Sequence, residues 1–255
     1  MSAKLKIGIV GLGGRGLACF AELIAQRSDC ELTAFCDTNK VRLTNAAKKY
    51  NVKNTYASFD KMLAEEKLDG LIITTPDNLH EEHTIKALEA GVTALVDKPL
   101  SISVKGCKNI IKVSEKSVKK ALIGFNMRHN VVLRKIKELI DTGVLGRVFL
   151  MENREYYDGG KTYFARWNGH KENSGSLWIH KGSHDFDVFN WLLNFDKPVK
   201  VCALSGIDAL NLQNLPFEAN AGEPGPRCGD CVYSEICPDK WTHEEENWGE
   251  AAIKE

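Results

Sequence analysis

A glycine-rich turn constrains the fold of this chain more than any other feature. The stretch GLGGRG follows the apolar run KIGIVG and opens an amphipathic segment, which is the strand–turn–helix context of a dinucleotide-binding unit. In that context Gly11 permits a tight turn, Gly13 lets backbone N–H groups approach a pyrophosphate, and Gly16 lets the helix pack on the strand. The nucleotide is predicted to lie also against Gly14 and Arg15. An ordinary strand-to-helix turn is the alternative.

The first half of the chain alternates apolar runs with amphipathic segments. The predicted strands are KIGIVG, ELTAFCD, GLIITTP, TALVDKP and ALIGFN, and the predicted helices lie near residues 15–26, 40–50, 59–66, 79–90 and 103–117. Strands that alternate with helices pair in parallel through right-handed crossovers, with helices on both faces. The sequence therefore predicts an α/β fold with a doubly wound parallel sheet over residues 1–126.

An acidic residue follows the second predicted strand at the spacing typical of a ribose-binding carboxylate. Asp37 would accept hydrogen bonds from an adenosine ribose and repel a 2′-phosphate, which favours NAD over NADP. Lys40 and Arg42 lie close enough in sequence to weaken that preference, so NADP stays open. An N-cap role for Asp37 is the structural alternative.

Charge and hydropathy exclude several classes of partner. The 34 basic residues balance 34 acidic ones, so no net charge draws the chain to nucleic acid or to an anionic membrane. The lysine-rich helix near 103–117 carries Ile110, Ile111 and Val113 on its predicted buried side, so its lysines are interpreted as a solvated face. No apolar run reaches the length of a membrane span, and because MSAKLK leads directly into the first predicted strand, no signal peptide is expected. A cytoplasmic protein with a small-molecule ligand is therefore predicted.

Two further stretches carry a family resemblance. TPDNLHEEHTIKALEAGVTALVDKPL, residues 75–100, has a threonine-proline turn, a histidine-containing helix and the tripeptide Asp97-Lys98-Pro99. GFNMRHN follows, ahead of a helical segment and GVLGRV. The chain resembles the glucose-fructose oxidoreductase, inositol dehydrogenase and MocA family, in which a glutamate usually stands where Asp97 does.

The resemblance implies a fold, a cofactor and a catalytic lysine. It implies a Rossmann domain, a second α+β domain with a mostly antiparallel sheet over residues 127–255, and NAD(P) as cofactor. The implied cofactor site includes Thr75, Pro76, His80, Asp97 and Lys98. Lys98 would also exchange a proton with a substrate hydroxyl, because burial and the charge of an oxidised nicotinamide both lower the pKa of a lysine. A surface lysine before a turn proline is the alternative.

The stretch WIHKGSHDFDVFNWLL sets His180 and His184 four residues apart. In the family an aspartate and then a histidine hold these places and contact the substrate hydroxyls, so both residues are predicted to be catalytic. His180 in place of aspartate leaves the proton relay open: His180 replaces the carboxylate, Lys181 reaches in, or the substrate differs. The variant His180→Asp is expected to preserve or raise activity on polyols.

Two other interpretations of the histidine pair remain. Imidazoles at i and i+4 can bind zinc, but Lys181 lies between them and Gly182 is predicted to break a helix through both. Alternatively, both histidines are structural and only begin a buried helix. Its apolar residues Phe186, Phe189 and Leu193 fall at spacings that can face a core.

Residues on two loops are predicted to contact the substrate together with Lys181. Arg128 lies in GFNMRHN, and Arg166 and Trp167 follow Tyr163 in YFARWNGH. An aromatic ring beside cationic side chains suits a sugar or polyol, although a packed corner is equally compatible with this pattern.

A cysteine cluster follows, in an excursion over residues 220–243. Cys228, Cys231, Cys237 and His243 have the residue types of a tetrahedral zinc site, and clustered cysteines in the cytosol are typical of metal ligands rather than disulfides. An iron–sulfur cluster or a reduced loop without metal is the alternative.

The expected function, as the resemblance implies, is hydride transfer between NAD(P) and a secondary alcohol of a sugar, cyclitol or related polyol. Redox elimination, as in NAD-dependent glycoside cleavage, and a non-catalytic nucleotide-sensing or scaffold protein are the alternatives. RVFLMENREYY and PVKVCALSGI are the good candidate strands after residue 126. Because the family's second domain has more strands, the chain is expected to be truncated at its C-terminus and to form a homo-oligomer through the second-domain sheet.

Overall fold

The computed structural model describes residues 3–156, 166–194, 197–206 and 228–237, with the single residues 218, 222 and 240. Its centre is a six-stranded parallel sheet with the strand order β3-β2-β1-β4-β5-β6. The strands are β1 (Leu5–Val10), β2 (Cys30–Cys36), β3 (Asn54–Tyr56), β4 (Gly70–Ile73), β5 (Thr93–Asp97) and β6 (Ala121–Gly124). The predicted doubly wound sheet is confirmed, and β3 is a strand that the sequence patterns did not predict.

Helices connect these strands. They are α1, which begins as the π-helical segment Arg15–Ala21 and continues as Glu22–Ala25, α2 (Lys40–Tyr50), α3 (Phe59–Glu65), α4 (His80–Glu89) and α5 (Val104–Lys116). A 3-10 turn, Asp77–Leu79, precedes α4. Asn39, Ser58 and Ser103 each accept a hydrogen bond from the backbone N–H three residues later, and these caps begin α2, α3 and α5.

The hydrophobic core lies on both faces of the sheet. Consecutive strand residues point to opposite faces, so Ile9 packs in one buried cluster and Val10 in the other. Phe35 and Ile72 share the cluster of Ile9, and Ile73 shares that of Val10. Because both faces are covered, the central strands are apolar along most of their length instead of alternating with polar residues.

The strand order reverses at the centre of the sheet. β1 pairs with β2 on one side and with β4 on the other. The connections that leave the carboxyl ends of β1 and β4 therefore diverge and open a crevice, where parallel sheets of this kind bind their ligands. The turns after β1, β2, β4 and β5 meet at this edge, and they contain the predicted cofactor residues.

The chain beyond β6 contributes helices and turns. A 3-10 turn at Asn126–His129 leads into α6 (Val131–Asp141), and a second at Trp167–Gly169 leads into α7 (Lys171–Ser174), α8 (Leu177–His180) and α9 (Gly182–Leu192). Because α8 ends at His180 and α9 begins at Gly182, the predicted helix break between the two histidines is confirmed. No helix within the described ranges is long and apolar enough to cross a membrane.

The two strands predicted for the second half are not observed in the residues that the structure describes. Residues 147–156 and 198–206 have no strand pairing. Phe149 and Leu150 in the first segment are 92% and 72% exposed. A strand persists only beside a hydrogen-bonded neighbour, and an alternating pattern in the sequence does not supply one.

Two side chains that were predicted on buried helix faces are instead exposed. Ile111 in α5 and Phe186 in α9 are each 51% exposed, whereas Ile110 and Val188 of the same helices are buried. Successive helix residues lie about 100° apart around the axis, so Ile111 and Phe186 point away from the sides that Ile110 and Val188 bury.

Candidate active site

The glycine turn after β1 has the geometry that a pyrophosphate site requires. Gly11 has a φ of +89°, and a Cβ on it would lie 2.6 Å from the Thr74 backbone; a Cβ on Gly16 would lie 2.1 Å from the Gly11 carbonyl oxygen. Around Gly13, by contrast, no described neighbour lies within 4 Å of the Cβ position. The turn is therefore closed where α1 packs on the sheet and open where a diphosphate would approach the backbone N–H groups.

Asp37 lies directly after β2, with its carboxylate buried beside the glycine turn. The carboxylate accepts hydrogen bonds from the backbone N–H groups of Leu12, at 2.7 Å, and Asn39, at 2.8 Å. A guanidinium nitrogen of Arg42 lies 3.3 Å from the same carboxylate. Asp37 is thus held where such folds bind the adenosine ribose, with a cation beside it.

Arg15 joins the glycine turn to the end of β5. Its Nε and Nη2 atoms donate to the two carboxylate oxygens of Asp97, both at 2.7 Å. The hydrogen bond to Asp97 raises the pKa of Arg15 above its usual range. Two parallel charge-assisted hydrogen bonds fix both side chains, so Asp97 couples the predicted pyrophosphate turn to the next residue, Lys98.

Lys98 follows β5 and reaches the second half of the chain. Its Nζ donates a hydrogen bond to the backbone carbonyl oxygen of His180, at 2.6 Å. Burial lowers the pKa of Lys98, although the carboxylates of Asp77 and Asp97 act in the opposite direction. A lysine whose pKa is lowered is unprotonated more often near neutral pH, which makes its amine available as a proton acceptor. The peptide bond between Lys98 and Pro99 is cis.

His80 begins α4 and ties together two turns at the edge of the sheet. Its Nε2 lies 2.9 Å from the Thr75 carbonyl oxygen, and its Nδ1 lies 2.6 Å from the Pro99 carbonyl oxygen. The residue is 1% exposed. His80 therefore braces the Thr75-Pro76 turn against the turn that presents Lys98.

His180 ends α8, and its ring contacts the sheet half of the chain. Its Nδ1 lies 2.6 Å from Oδ2 of Asp77, and the two side chains are 14% and 3% exposed. The ring of Trp167, which follows Arg166 directly, packs edge to face on His180 with centroids 5.5 Å apart. Sequence reasoning missed Asp77, because 103 residues separate it from His180 and no local pattern reports such a contact.

His184 lies in the first turn of α9 and packs against Phe125, with ring centroids 6.1 Å apart. Burial, followed by the charges of Lys98 and Lys181, lowers the pKa of His184 to about 4. Its buried Nδ1 has no hydrogen-bond partner among the described residues. His184 is therefore neutral at pH 7, and a ligand hydroxyl is a suitable partner for the unsatisfied nitrogen.

Two residues that were predicted to contact the substrate, Arg128 and Lys181, form ion pairs with carboxylates. Sequence reasoning did not identify these partners. Arg128 makes a two-point ion pair with Asp187, with distances of 2.8 Å and 2.5 Å. The Nζ atom of Lys181 lies 2.5 Å from Oε1 of Glu155. Asp187 therefore anchors α9 to the segment after β6.

The described part of the cysteine-rich segment does not support the predicted zinc or iron–sulfur site. Cys231 and Cys237 are free, partly buried thiols, and no three His, Cys, Asp or Glu side chains converge among the described residues. Of the other residues named in the predictions, His243 and Tyr163 lie outside the described ranges, as does the side chain of Cys228.

Two models of one protein family match the chain. The model described as "Oxidoreductase family, NAD-binding Rossmann fold" matches residues 5–125, which contain the parallel sheet. The model described as "Oxidoreductase family, C-terminal alpha/beta domain" matches residues 137–215, which contain His180 and His184.

Individual relatives agree with this match. YteT of Bacillus subtilis is 31% identical over 89% of this chain and 55% of its own length, and D-glucoside 3-dehydrogenase of Escherichia coli is 25% identical over 88% and 62%. Scyllo-inositol dehydrogenase from Lactobacillus casei, solved with bound NAD(H) and scyllo-inositol, is 28% identical with a TM-score of 0.65, over 74% of this chain and 55% of that chain. The chain thus spans little more than half the length of these relatives.

Proposed function

Because the chain belongs to the glucose-fructose oxidoreductase, inositol dehydrogenase and MocA family, we propose that it transfers hydride between NAD(P) and a secondary alcohol. The proposed substrates are sugars, cyclitols and related polyols, the class to which the named glucoside and inositol dehydrogenases point. One observation carries the proposal: Nζ of Lys98, from the sheet half, donates to the backbone carbonyl of His180 at 2.6 Å, four residues before His184, whose buried Nδ1 has no partner among the described residues.

The residues at the carboxyl edge of the sheet fit a dinucleotide. The open space over Gly13 suits a pyrophosphate at the start of α1, and the Asp37 carboxylate suits the adenosine ribose. Asp37 favours NAD, while the neighbouring Arg42 keeps NADP within the proposal. When bound, the nicotinamide supplies the hydride acceptor or donor.

The chain's own residues bind the alcohol and manage its proton. Lys98, with its lowered pKa, exchanges a proton with the hydroxyl on the carbon that loses hydride. His184 is neutral and hydrogen-bonds a hydroxyl through its unsatisfied Nδ1. Together they orient the alcohol before hydride transfer, which is the main requirement for this chemistry.

The variants Lys98→Met and His184→Ala test this function. Each removes one acid–base or orienting group, so turnover measured as NADH formation is expected to fall by about 10²- to 10⁴-fold. Affinity for NAD is expected to stay unchanged, because neither residue holds the pyrophosphate or the ribose. Wild-type turnover in both variants, or a parent protein that forms NADH from no polyol tested, contradicts the proposal.

Exposed residues of the same types provide matched controls for these variants. Lys105 and His129 are both exposed. Lys105→Met and His129→Ala are therefore expected to keep the turnover of the parent protein, so a loss confined to Lys98→Met and His184→Ala cannot come from removing a lysine or a histidine as such.

The proposal also includes a cytoplasmic homo-oligomer that assembles through the second-domain sheet. Support comes from large apolar side chains of the second half that are highly exposed: Phe149, Leu150, Val201 and Leu204. Large exposed apolar side chains are favourable to bury against a second copy of the chain.

A further inference from the structure

We propose that Asp77 is a positioning residue that acts through His180: its carboxylate fixes the imidazole so that Nε2 accepts a hydrogen bond from a substrate hydroxyl. The inference rests on the proposed function, which supplies that hydroxyl. Its structural basis is the 2.6 Å contact between Oδ2 of Asp77, in the turn after β4, and Nδ1 of His180, at the end of α8.

The tautomer of His180 follows from the chemistry of this contact. A carboxylate oxygen only accepts hydrogen bonds, so the proton between Asp77 and His180 belongs to Nδ1 of the imidazole. In the neutral ring the other nitrogen, Nε2, is then an acceptor. A hydroxyl donates to such a nitrogen, whereas the opposite tautomer would offer an N–H group and favour a carbonyl oxygen.

Packing holds the ring in this orientation before any substrate binds. The Asp77 side chain is 3% exposed and that of His180 is 14% exposed, so water competes little for their hydrogen bond. The Trp167 ring stands at 88° to the imidazole, with centroids 5.5 Å apart. The Trp167 ring on one side and the Asp77 carboxylate on another restrict rotation of the imidazole.

Residue 180 is also connected to Lys98. The backbone carbonyl oxygen of His180 accepts the hydrogen bond from Nζ of Lys98, at 2.6 Å. The negative charge of Asp77 raises the pKa of Lys98, against the larger effect of burial. Asp77 therefore acts on both groups that face the proposed alcohol, on His180 by direct contact and on Lys98 through its charge.

A purely structural role for Asp77 makes different predictions. The side chain does not cap the 3-10 turn Asp77–Leu79 in which it lies, so a tether between the two halves of the chain is the competing role. A tether affects stability and the overall fold, whereas a positioning residue affects the tautomer of His180 and the rate of reaction.

Histidine-selective nitrogen NMR of the full chain tests the tautomer without any substrate. Above neutral pH, His180 is expected to carry its proton on Nδ1 in the parent protein. In Asp77→Asn it is expected to carry the proton on Nε2, because the asparagine amide can donate to Nδ1. The exposed His129 is an internal control whose signal should not change. The same tautomer in both proteins, or a proton on Nε2 of the parent, overturns the proposal.

Steady-state kinetics separates positioning from tethering. Asp77→Asn is expected to lower kcat by about 10- to 100-fold, the size of one lost hydrogen bond, with the Kd for NAD unchanged. Asp77→Glu keeps a carboxylate and is expected to recover most of the rate and the Nδ1 tautomer. If Asp77→Asn does not fold, Asp77→Glu still decides the question: near-parent kcat together with the Nδ1 tautomer supports positioning, whereas parent stability and the Nδ1 tautomer with kcat lowered by about 10-fold or more overturn it.

A second substitution at position 180 gives the sharpest kinetic contrast. His180→Asp sets two carboxylates against each other and is expected to lower kcat, which reverses the expectation drawn from the family resemblance. Adding Asp77→Asn to that variant removes the repulsion and is expected to restore the rate. Independent losses that multiply in the double variant would identify Asp77 as a tether and overturn the proposal.

The two kinds of experiment distinguish the possible failures. If the parent protein forms NADH from no polyol, the proposed function fails, while the NMR tautomer still supports or overturns the orientation of His180 by Asp77. If the parent is active but Asp77→Asn keeps both its rate and its tautomer, the proposed function stands and this inference fails.

Discussion

The polar groups of the candidate active site differ between the two halves of the chain in whether they have hydrogen-bond partners. In the sheet half, residues 3–125, Asp37 has three donors, Asp97 has a two-point arginine partner, and His80 is bonded at both ring nitrogens. In the described residues after 126, His184 keeps a buried nitrogen without a partner. The named polar groups on the proposed cofactor side thus have hydrogen-bond partners within the chain. On the proposed substrate side, Nδ1 of His184 is available to hydrogen-bond a ligand.

The two halves of the chain also differ in how their large side chains are buried. Among the described residues, the large side chains that are fully buried come from the sheet half, for example Phe35, Ile9 and Met62, with the exception of Tyr233. The second half attaches to it and to the segment after β6 through polar contacts: Lys98 with the carbonyl of His180, Asp77 with the ring of His180, and Arg128 with Asp187. The proposed nucleotide site therefore lies on a surface built on a deep core, while the proposed substrate contacts depend on a few polar contacts between the halves.

Breaking one anchor is expected to loosen the second half and spare the first. Arg128→Ala removes the two-point partner of Asp187, whose side chain is 7% exposed. The expected cost is about 1–3 kcal/mol, below that of a fully buried pair because 33% of the arginine side chain is exposed. Hydrogen exchange is expected to accelerate in α9 and to stay slow in β1 and β4.

Two controls make that result specific to the ion pair. Arg134→Ala changes an exposed arginine in α6 and is expected to leave exchange in α9 unchanged. Arg128→Met combined with Asp187→Leu is expected to recover most of the lost protection, because apolar partners remove the unpaired buried charge. Equal acceleration in the strands and in α9 would show that the two halves unfold as one unit.

The sheet half could be predicted from sequence because its signals are local. The glycine turn, the helix cap Ser58, and the positive φ at Gly91 all depend on residues within a few positions. β3 was missed because it is three residues long and its first two residues, Asn54 and Thr55, are exposed, so it carries no apolar run.

The site between the halves could be predicted only in part. The family resemblance pointed to Lys98 and His184, but Asp77 and Asp187 find their partners 103 and 59 residues away. A side chain's distant partner leaves no pattern in its neighbours, so both acids were indistinguishable from turn and helix-start residues. The two candidate strands of the second half failed for the same reason, since pairing is a long-range contact.

The contacts of Asp37 in the proposed cofactor site yield a prediction about nucleotide preference. Asp37→Asn removes the charge that opposes a 2′-phosphate and frees Arg42 from its ion pair, yet keeps an oxygen for the N–H of Leu12. The ratio of NADPH to NADH affinity is expected to rise by about 10- to 100-fold, as for one charged hydrogen bond. Fluorescence titration of both nucleotides measures it.

An exposed acid serves as the control for this change. Asp29 pairs with Arg27 at the surface, with 56% of its side chain exposed, so Asp29→Asn is expected to leave the affinity ratio unchanged. If Asp37→Asn also leaves the ratio unchanged, Asp37 does not face the ribose, and the match between the sheet edge and a dinucleotide loses its main specificity element.

A partly buried histidine in each half allows the comparison to be made by pH. In the sheet half, Nδ1 of His83 lies 3.1 Å from Oγ1 of Thr75, and its ring packs on Phe59 with centroids 4.4 Å apart. In the second half, His184 packs on Phe125 without a hydrogen bond at Nδ1 from the described residues. Burial is the main cause that lowers the pKa of each histidine to about 4.

These two pKa values predict a small loss of stability in acid. The unfolded chain takes up protons below pH 6.5, whereas the folded histidines stay neutral down to about pH 4. Stability is therefore unaffected above pH 6.5 and falls as the pH drops towards 4, by on the order of 1 kcal/mol per histidine after allowance for water around each ring. His83→Gln and His184→Gln should each remove part of this dependence of stability on pH, measured by chemical unfolding between about pH 4 and 6.5.

The same two variants test whether the halves unfold separately. If they do, His83→Gln changes the unfolding of the sheet, and His184→Gln changes only the hydrogen-exchange protection of α9. Identical effects of the two variants on both regions would instead show that the chain unfolds as one cooperative unit. The unsatisfied nitrogen of His184 would then lower the free energy of unfolding of the whole chain.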